Sequence, residues 1–269
     1  GKKGDTIHVP SPIRGVASAK VAETQVTLIA ETEGELIINV DQHFEYSRMI
    51  EDITEVQALY SLRRFYTSDA GYALAKNVDT SLFGMGTGLG TGGDAFADPT
   101  LSASWAAASG TVQPAADGVA DYTGGANAVE FNDATMRAAL QVLDDNDVPM
   151  TGRFFVIPPS LCNTIRGIER YNSTDFVNNK GTVNGKIGEI YGVDVYVSTN
   201  VPTVTGGTAD PERAALLAHR DVYVLAEQIG VRSQTQYKQE YLSTLYTADR
   251  LYGRQCYRPE SGVTIMVTN

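Results

Sequence analysis

Hydrophobic and polar residues near the start of the chain follow a pattern that is typical of strands. Three stretches between residues 5 and 47, DTIHVPSPI, QVTLIAE and GELIINVDQHFEY, are rich in strand-forming residues and lack helical spacing. The pattern predicts a long β arm that folds back on itself. Its turn is predicted between residues 21 and 34, where ETEG at 31–34 is the best turn signal.

The predicted arm carries apolar residues on both of its faces. They are Leu28, Ile29, Leu36, Ile37 and Ile38. A two-stranded ribbon is only marginally stable in water, and an uncovered apolar edge promotes aggregation. We therefore expect the arm to be covered, either by the body of its own chain or by a neighbouring copy.

The spacing changes to a helical period after Asp52. Apolar residues then recur at every third or fourth position, at Val56, Leu59, Leu62, Tyr66, Ala70, Leu74 and Val78. This period predicts one long helix. Asp52 and Glu55 have the spacing of a capping box at its start, and Gly84 lies beyond its last turn.

The next segment, residues 84–125, is dominated by Gly, Ala, Thr and Ser, with Trp105 as its large anchor. Such a composition buries little surface. It predicts a long surface loop with little regular structure.

Helical and strand patterns alternate through the rest of the chain. The inward residues of a helix at 133–144, capped by Asn132, are predicted to be Met136, Ala139, Leu140 and Leu143. The elements that follow are predicted as a strand at 153–157, a helix from Pro159 toward Tyr171, a strand at 193–198, a loop at 202–211, a strand at 214–218, a short helix at 221–228 and strand-rich sequence ending in GVTIMV.

Composition narrows the class of protein. The 269 residues carry a net charge of -11, which argues against a surface that neutralises phosphates. Apolar runs stay well below the roughly 18 residues of a membrane-spanning helix, so we expect a soluble protein. Cys162 and Cys256 lack a CxxC or histidine partner, and we interpret both as buried, reduced thiols of a reducing compartment. Because the first residue is Gly1 rather than Met, we expect an N-terminal arm before it.

The short motifs that could indicate a catalytic or binding site lack the spacing or the neighbouring elements that such a site requires. No catalytic, cofactor or metal site is therefore predicted. The GxGxxG match at 88–93 follows a helix rather than a strand. The acidic run at 144–147 lacks the ligand spacing of a calcium loop. His8, His43 and His219 are far apart in sequence. The acidic residues at 51, 52 and 55 fit helix capping better than a catalytic carboxylate pair.

From the residues alone, the chain is predicted to be a soluble α+β protein with an arm that needs a partner. A family resemblance rests on the shared order of several segments: GDTIHVPSPI, ELIINVDQHFEYSRMIEDITEVQ, YALAKNVD, RFFVIPPSLCNTI, GEIYGVDVYVSTNVP and LYGRQCYRPESGVTIMV. Together they cover nearly the whole chain. In this order the chain resembles the major capsid proteins of tailed bacteriophages, and it is similar to the coat proteins of short-tailed phages.

The resemblance implies an α+β capsid fold with four segments. These are an extended β arm, or E-loop, at 1–48; a P-domain spine helix and Gly/Ala-rich loop at 49–125; an A-domain at 126–227; and a β-rich return to the P-domain at 228–269. It also implies that the arm lies over an adjacent subunit. Leu28, Ile29, Leu36, Ile37 and Ile38 are then the expected inter-subunit contacts.

The function implied by the resemblance is a structural protein, not an enzyme. It self-assembles into pentamers and hexamers of an icosahedral shell that encloses double-stranded DNA without binding it specifically. The virion is its expected location, with assembly in the host cytoplasm and no membrane. Portal, scaffolding and decoration proteins are its expected partners. The alternatives are an encapsulin compartment with the same fold, a carboxylate-based hydrolase, and a secreted adhesin or tail protein.

Overall fold

The structure is a computed structural model that describes residues 6–11, 34–58, 61–88, 131–168, 188–205 and 212–268, with short pieces at 17, 19–23, 25–26, 113–114, 120–123 and 171. The described helices are α1 (Asp52–Gln57), α2 (Leu62–Gly84), α3 (Asp133–Asp145) and α4 (Pro159–Gly167). The described strands are β1 (Thr6–Ser11), β2 (Gly34–Asn39), β3 (Gln42–Glu51), β4 (Gln113–Pro114), β5 (Ala120–Thr123), β6 (Arg153–Ile157), β7 (Glu189–Ile190), β8 (Val193–Val197), β9 (Thr203–Thr205), β10 (Glu212–His219), β11 (Tyr223–Lys238), β12 (Ser243–Cys256) and β13 (Gly262–Thr268).

The largest sheet has eight strands in the order β4-β5-β9-β10-β6-β8-β7, with β13 also paired to β10. Its β10 runs through the middle, and the apolar run from Ala214 to Ala218 is buried on both faces, as expected for a strand covered on both sides. In β6, buried residues alternate with half-buried ones.

Helices α3 and α4 complete the core of this sheet. The predicted inward residues of α3 are confirmed, because Met136, Ala139 and Leu143 are buried and Leu140 packs against the same cluster. Phe155 of β6 is fully buried and its ring stacks on Phe131 with the centroids 5.9 Å apart. These elements therefore form the main hydrophobic core.

A three-stranded antiparallel sheet has the order β11-β12-β3. Helix α2 covers one face of it, where Ala70 and Leu74 pack against Ile50, Tyr246 and Ala248. Gly71 lies inside α2 without breaking it. The long helix therefore serves as a cover for one side of this sheet.

The arm forms an antiparallel pair in which β1 and β2 are in register from Thr6↔Asn39 to Ser11↔Gly34. The predicted fold-back is thus present. The strand that follows Val40 is not part of the arm, because this strand, β3, pairs with β12 in the three-stranded sheet. The terminal strand β13 forms as predicted and pairs with β10.

The prediction of one long helix after Asp52 is wrong. Two helices are present, since Ala58 is extended and Ser61 starts α2 by accepting a hydrogen bond from the backbone N–H of Arg64 at 3.5 Å. The predicted capping box is also absent: Glu51 is the N-cap of α1 and makes no side-chain capping bond. The carboxylate of Asp52 instead accepts a hydrogen bond from the Tyr237 hydroxyl at 2.9 Å.

One further prediction needs correction. The short helix expected at 221–228 is wrong, because β11 runs from Tyr223 to Lys238 and pairs with β12. The helix predicted after Pro159 is present and runs from Pro159 to Gly167. In the 84–125 segment, most residues, including Trp105, lie outside the described residues, but β5 forms a short strand parallel to β9.

Candidate assembly surfaces

The arm presents one buried and one exposed isoleucine at neighbouring positions. Ile38 is 1 % exposed in the single chain, whereas Ile37 is 47 % exposed. Ile38 therefore packs within its own chain, whereas Ile37 is exposed and Leu36 is half-buried on the same strand. Leu28 and Ile29 lie outside the described residues.

The three-stranded sheet has one covered face and one open face. Along β3, side chains alternate between the α2 side, where Phe44, Tyr46 and Ile50 pack, and the opposite side, where Glu45 and Met49 are exposed. This alternation follows from the period of two in a strand. The open face is therefore a broad surface available for contacts.

An ion-pair network occupies the open face. The Arg232 guanidinium donates two hydrogen bonds of 2.7 Å to Asp249, and the His43 ring nitrogen lies 3.1 Å from the same carboxylate. Hydrogen bonds from Arg232 first, and then from His43, lower the pKa of Asp249 to about 2. These charges are thus paired within the chain.

Helix α2 exposes two aromatic side chains on the side away from its sheet. Phe65 is 63 % exposed and Tyr72 is 64 % exposed. Seven residues separate them, so they lie on the same side of the helix. Sequence reasoning missed this pair because it followed only the buried stripe through Ala70 and Leu74. The signal was available as two large apolar residues outside that stripe.

A cavity of about 350 Å³ lies where the end of α2 meets the large sheet. Its lining is mostly apolar and aromatic: Asp79, Leu82, Phe83, Phe154, Val156, Tyr196, Ser198, Leu216 and Tyr223. Asp79 is the one carboxylate among these residues. A single carboxylate in an apolar cavity does not form the pair of carboxyl groups that glycoside hydrolysis commonly uses.

The histidines and the acidic run have separate structural partners. His8 lies 2.6 Å from Glu35 across the arm, His43 pairs with Asp249, and the buried His219 lies 3.0 Å from the carbonyl oxygen of Thr151. In the acidic run, Asp144 accepts a 2.7 Å hydrogen bond from the Arg153 side chain. These groups therefore stabilise local structure.

Both cysteines are free, as predicted, and Cys162 is buried as expected, whereas Cys256 is only partly buried. Burial, with a smaller contribution from Glu260, raises the pKa of the Cys256 thiol to about 11. Such a thiol is almost entirely protonated at neutral pH and hence a poor nucleophile.

In the part of the chain that the structure describes, no three His, Cys, Asp or Glu side chains converge as metal ligands. None of the described helices combines the length and the apolarity needed to cross a membrane.

The described architecture is a mixed α+β fold that matches solved phage structures over nearly the whole chain. A chain from Mycobacterium phage Che8 is similar with a TM-score of 0.71 and 20 % identity, covering 98 % of this chain and 85 % of that one. The capsid of cyanophage P-SCSP1u is similar with a TM-score of 0.70 and 16 % identity, covering 99 % of this chain and 84 % of that one. The mature capsid of bacteriophage PhiM1 is similar with a TM-score of 0.67 and 14 % identity, covering 99 % of this chain and 83 % of that one.

Residues 2–268 match the family model described as phage capsid protein. The chain therefore belongs to the phage capsid protein family, which makes it a structural capsid protein of a bacteriophage virion and disfavours the compartment and hydrolase alternatives. A comparison with functionally curated proteins found no match.

Proposed function

We propose that this chain is the repeating subunit of an icosahedral phage shell, and that it self-assembles into pentamers and hexamers around double-stranded DNA. The observation that carries the proposal is the family match over residues 2–268. The exposed apolar residues of the arm, of α2 and of the end of the three-stranded sheet support it, because surfaces of this kind are typical of protein contacts.

The proposed subunit has the segments of the capsid fold. The arm around β1 and β2 is the E-loop, and α2 with the three-stranded sheet is the core of the P-domain. The eight-stranded sheet with α3 and α4 is proposed as the body of the A-domain. This differs from the segments expected from the sequence, because β4, β5 and β13 lie outside residues 126–227 and yet belong to this sheet. In this proposal Leu28, Ile29, Leu36 and Ile37 contact the adjacent subunit, while Ile38 anchors the arm to its own chain.

The wall is proposed to contain DNA without binding it tightly. Arg137, Arg153, Arg232 and Arg250 each lie within 3.0 Å of a carboxylate oxygen in the same chain. Arginines that are neutralised in this way contribute less to phosphate binding, which depends on the release of counterions by free cations. Together with the net charge of -11, this favours a passive container.

The partners proposed for the subunit are other copies of itself and the portal, scaffolding and decoration proteins of the same virion. The chain acts as a wall component rather than an enzyme, and assembly takes place in the host cytoplasm.

Electron microscopy of the purified protein tests the assembly proposal. Closed shells with five-fold vertices are expected from the full chain, alone or with its scaffolding protein. Particles from infected cells should contain DNA that nuclease cannot reach until the shell is opened. A monodisperse monomer under all of these conditions would contradict the proposal.

A salt titration tests the passive wall. Isolated capsomers are mixed with duplex DNA between low and physiological salt, and binding is measured by fluorescence anisotropy. We expect no tight complex at physiological salt. Tight binding that weakens steeply with salt would instead indicate a wall that neutralises phosphates.

A further inference from the structure

The cavity between the end of α2 and the large sheet lies on the face of that sheet opposite to the main core. In β6, Phe155 and Ile157 belong to the core that α3 and α4 complete, whereas Phe154 and Val156 line the cavity. This division follows from the period of two in a strand. The volume of about 350 Å³ lies within the range of small-molecule sites. The cavity is therefore large enough to hold a small organic molecule.

Aromatic rings make up much of the lining of this cavity. They come from four different elements: Phe83 from α2, Phe154 from β6, Tyr196 from β8 and Tyr223 from β11. The face of an aromatic ring attracts a cation, and groups of such rings recognise quaternary ammonium ligands. Tyr196 is 56 % exposed, so its side chain can still gain a contact. The lining therefore has the composition of a site for an organic cation.

The charge beside the cavity is negative. Asp79 lines it, is exposed, and forms no ion pair or side-chain hydrogen bond with another described residue, including Lys76 one turn earlier on α2. Asp194 is exposed on the face of β8 that lines the cavity. The Arg254 guanidinium on β12 has Asp41 as its interacting carboxylate. The two exposed carboxylates therefore favour a positively charged ligand over an anion.

The scarcity of hydrogen-bond acceptors in the lining distinguishes between kinds of cation. A primary ammonium carries three N–H donors that need acceptors. Apart from Asp79, the lining offers only the two tyrosine hydroxyls and Ser198, whose hydroxyl already accepts a 3.1 Å hydrogen bond from the backbone N–H of Asn200. A quaternary ammonium has no N–H group, so it loses no hydrogen bond when it enters such surroundings. The lining therefore favours a quaternary ammonium group.

We propose that this cavity binds a small organic cation whose quaternary ammonium group lies between Asp79 and the aromatic rings. The apolar body of the ligand packs against Leu82, Val156 and Leu216, which supply the aliphatic part of the lining. The inference goes beyond the proposed function, because it assigns a ligand to the single subunit. Since the cavity joins α2 to the large sheet, a bound ligand also stabilises the folded chain.

Binding of benzyltrimethylammonium to the purified full chain tests the site. This probe carries a quaternary ammonium group beside an aromatic ring, and a titration followed by nuclear magnetic resonance measures its dissociation constant. We expect saturable binding and a thermal unfolding midpoint that rises with the concentration of the probe. Benzylammonium and benzyl alcohol should bind at least about threefold more weakly, because the first leaves N–H donors unpaired and the second lacks the charge.

Two variants test whether the probe occupies this cavity. Asp79→Asn removes the charge of an exposed side chain and keeps its shape, so it should not lower the unfolding midpoint but should weaken binding by about tenfold. Val156→Phe extends a half-buried side chain into the cavity and should abolish binding, and its unfolding midpoint checks that the chain still folds. Asp145→Asn is the matched control, because it makes the same change in charge at an exposed position of α3, on the other side of the large sheet.

Several results would overturn the ligand site and leave the proposed function intact, because shell formation does not depend on this cavity. The first is the absence of saturable binding to the natural chain. The second is binding by Asp79→Asn or by a folded Val156→Phe chain that equals that of Asp145→Asn, since the probe would then lie elsewhere. The third is equal affinity for benzylammonium, which would contradict the choice of a quaternary ammonium group.

Discussion

In the eight-stranded sheet, β10 is buried on both faces from Ala214 to His219. In the three-stranded sheet, β11 is exposed on both faces from Gly230 to Tyr237. The two strands belong to the same chain and differ in what surrounds them: other strands and helices enclose β10, whereas β11 lies at the edge of a sheet that α2 covers on one face.

The difference shows which part of the molecule is complete by itself. The large sheet has a continuous core around Phe155 and Leu217, both fully buried. The three-stranded sheet keeps an open face, an open edge and exposed apolar side chains at one end, among them Tyr241 and Leu242. A protein that assembles needs both kinds of region, because a subunit must fold before it meets its partners. The predictions below test this contrast, beginning with the largest expected effect.

Two neighbouring isoleucines of β2 should respond in opposite ways to the same substitution. Ile38→Asp places a carboxylate at a position that is 1 % exposed and should lower the free energy of unfolding by on the order of 4 kcal/mol. Ile37→Asp, at a position 47 % exposed, should change it by less than about 0.5 kcal/mol but should weaken assembly. Denaturant unfolding and shell yield measure the two effects. Equal stability of both variants would contradict the anchoring role of Ile38.

The core of the large sheet should be sensitive to truncation of its central ring. Phe155→Ala removes a fully buried side chain that stacks on Phe131 and should cost about 3–5 kcal/mol in the free energy of unfolding. Tyr196→Ala on the adjacent strand β8 is the control, because Tyr196 is 56 % exposed, and it should cost less than about 1 kcal/mol. Urea titrations compare the two. A cost below about 1 kcal/mol for Phe155→Ala would show that this core is not the main source of stability.

The join between the arm and the three-stranded sheet depends on a glycine. A Cβ atom at Gly253 would lie 2.4 Å from the carbonyl oxygen of Asn39, so Gly253→Ala must move backbone and should cost about 1–3 kcal/mol. Gly71→Ala is a control of opposite sign, because that Cβ meets nothing within 4 Å and alanine favours the helix by about 0.5–1 kcal/mol. Thermal unfolding of both variants measures whether the two substitutions change the stability in opposite directions. A stabilising Gly253→Ala would contradict the close approach.

The smallest effect is expected on the open face, where Asp249→Asn removes the pairing with Arg232. The folded pKa of Asp249, about 2, lies below the usual 3.8, so the pairing contributes stability above about pH 4 and loses it as the pH falls through 2. The variant should therefore be slightly less stable than the natural chain at neutral pH and equal to it below pH 2.

Unfolding measured from about pH 1 to pH 7 at low and high salt checks this prediction. Salt should reduce the difference between the two chains, because exposed ion pairs are screened. A difference that does not change with pH would show that Asp249 acts through packing rather than charge.

Much of the fold could be predicted because its pattern is local. Helix α3 was predicted to within one residue of its end, and its inward residues follow from apolar spacing alone. The arm was predicted to fold back from its strand-forming residues, and β1 does pair with β2, whereas the predicted turn signal at 31–34 lies almost entirely outside the described residues. The candidate contact surface of the arm was less predictable. Ile37 and Ile38 look alike in sequence, and their opposite burial depends on how β2 approaches β12 near Gly253.

The sequence by itself determined the periods, the apolar stripes and hence most helices and strands, because these depend on residues a few positions apart. Only the tertiary structure decided that residues 223–228 are a strand, since Tyr223 pairs with Cys256 and Ala226 with Gly253, far along the chain. The helix formers in this segment favour a helix locally, but pairing over the whole length of β12 outweighs that preference. The same long-range packing decided which apolar residues are enclosed, such as Ile38, and which, such as Ile37, stay exposed.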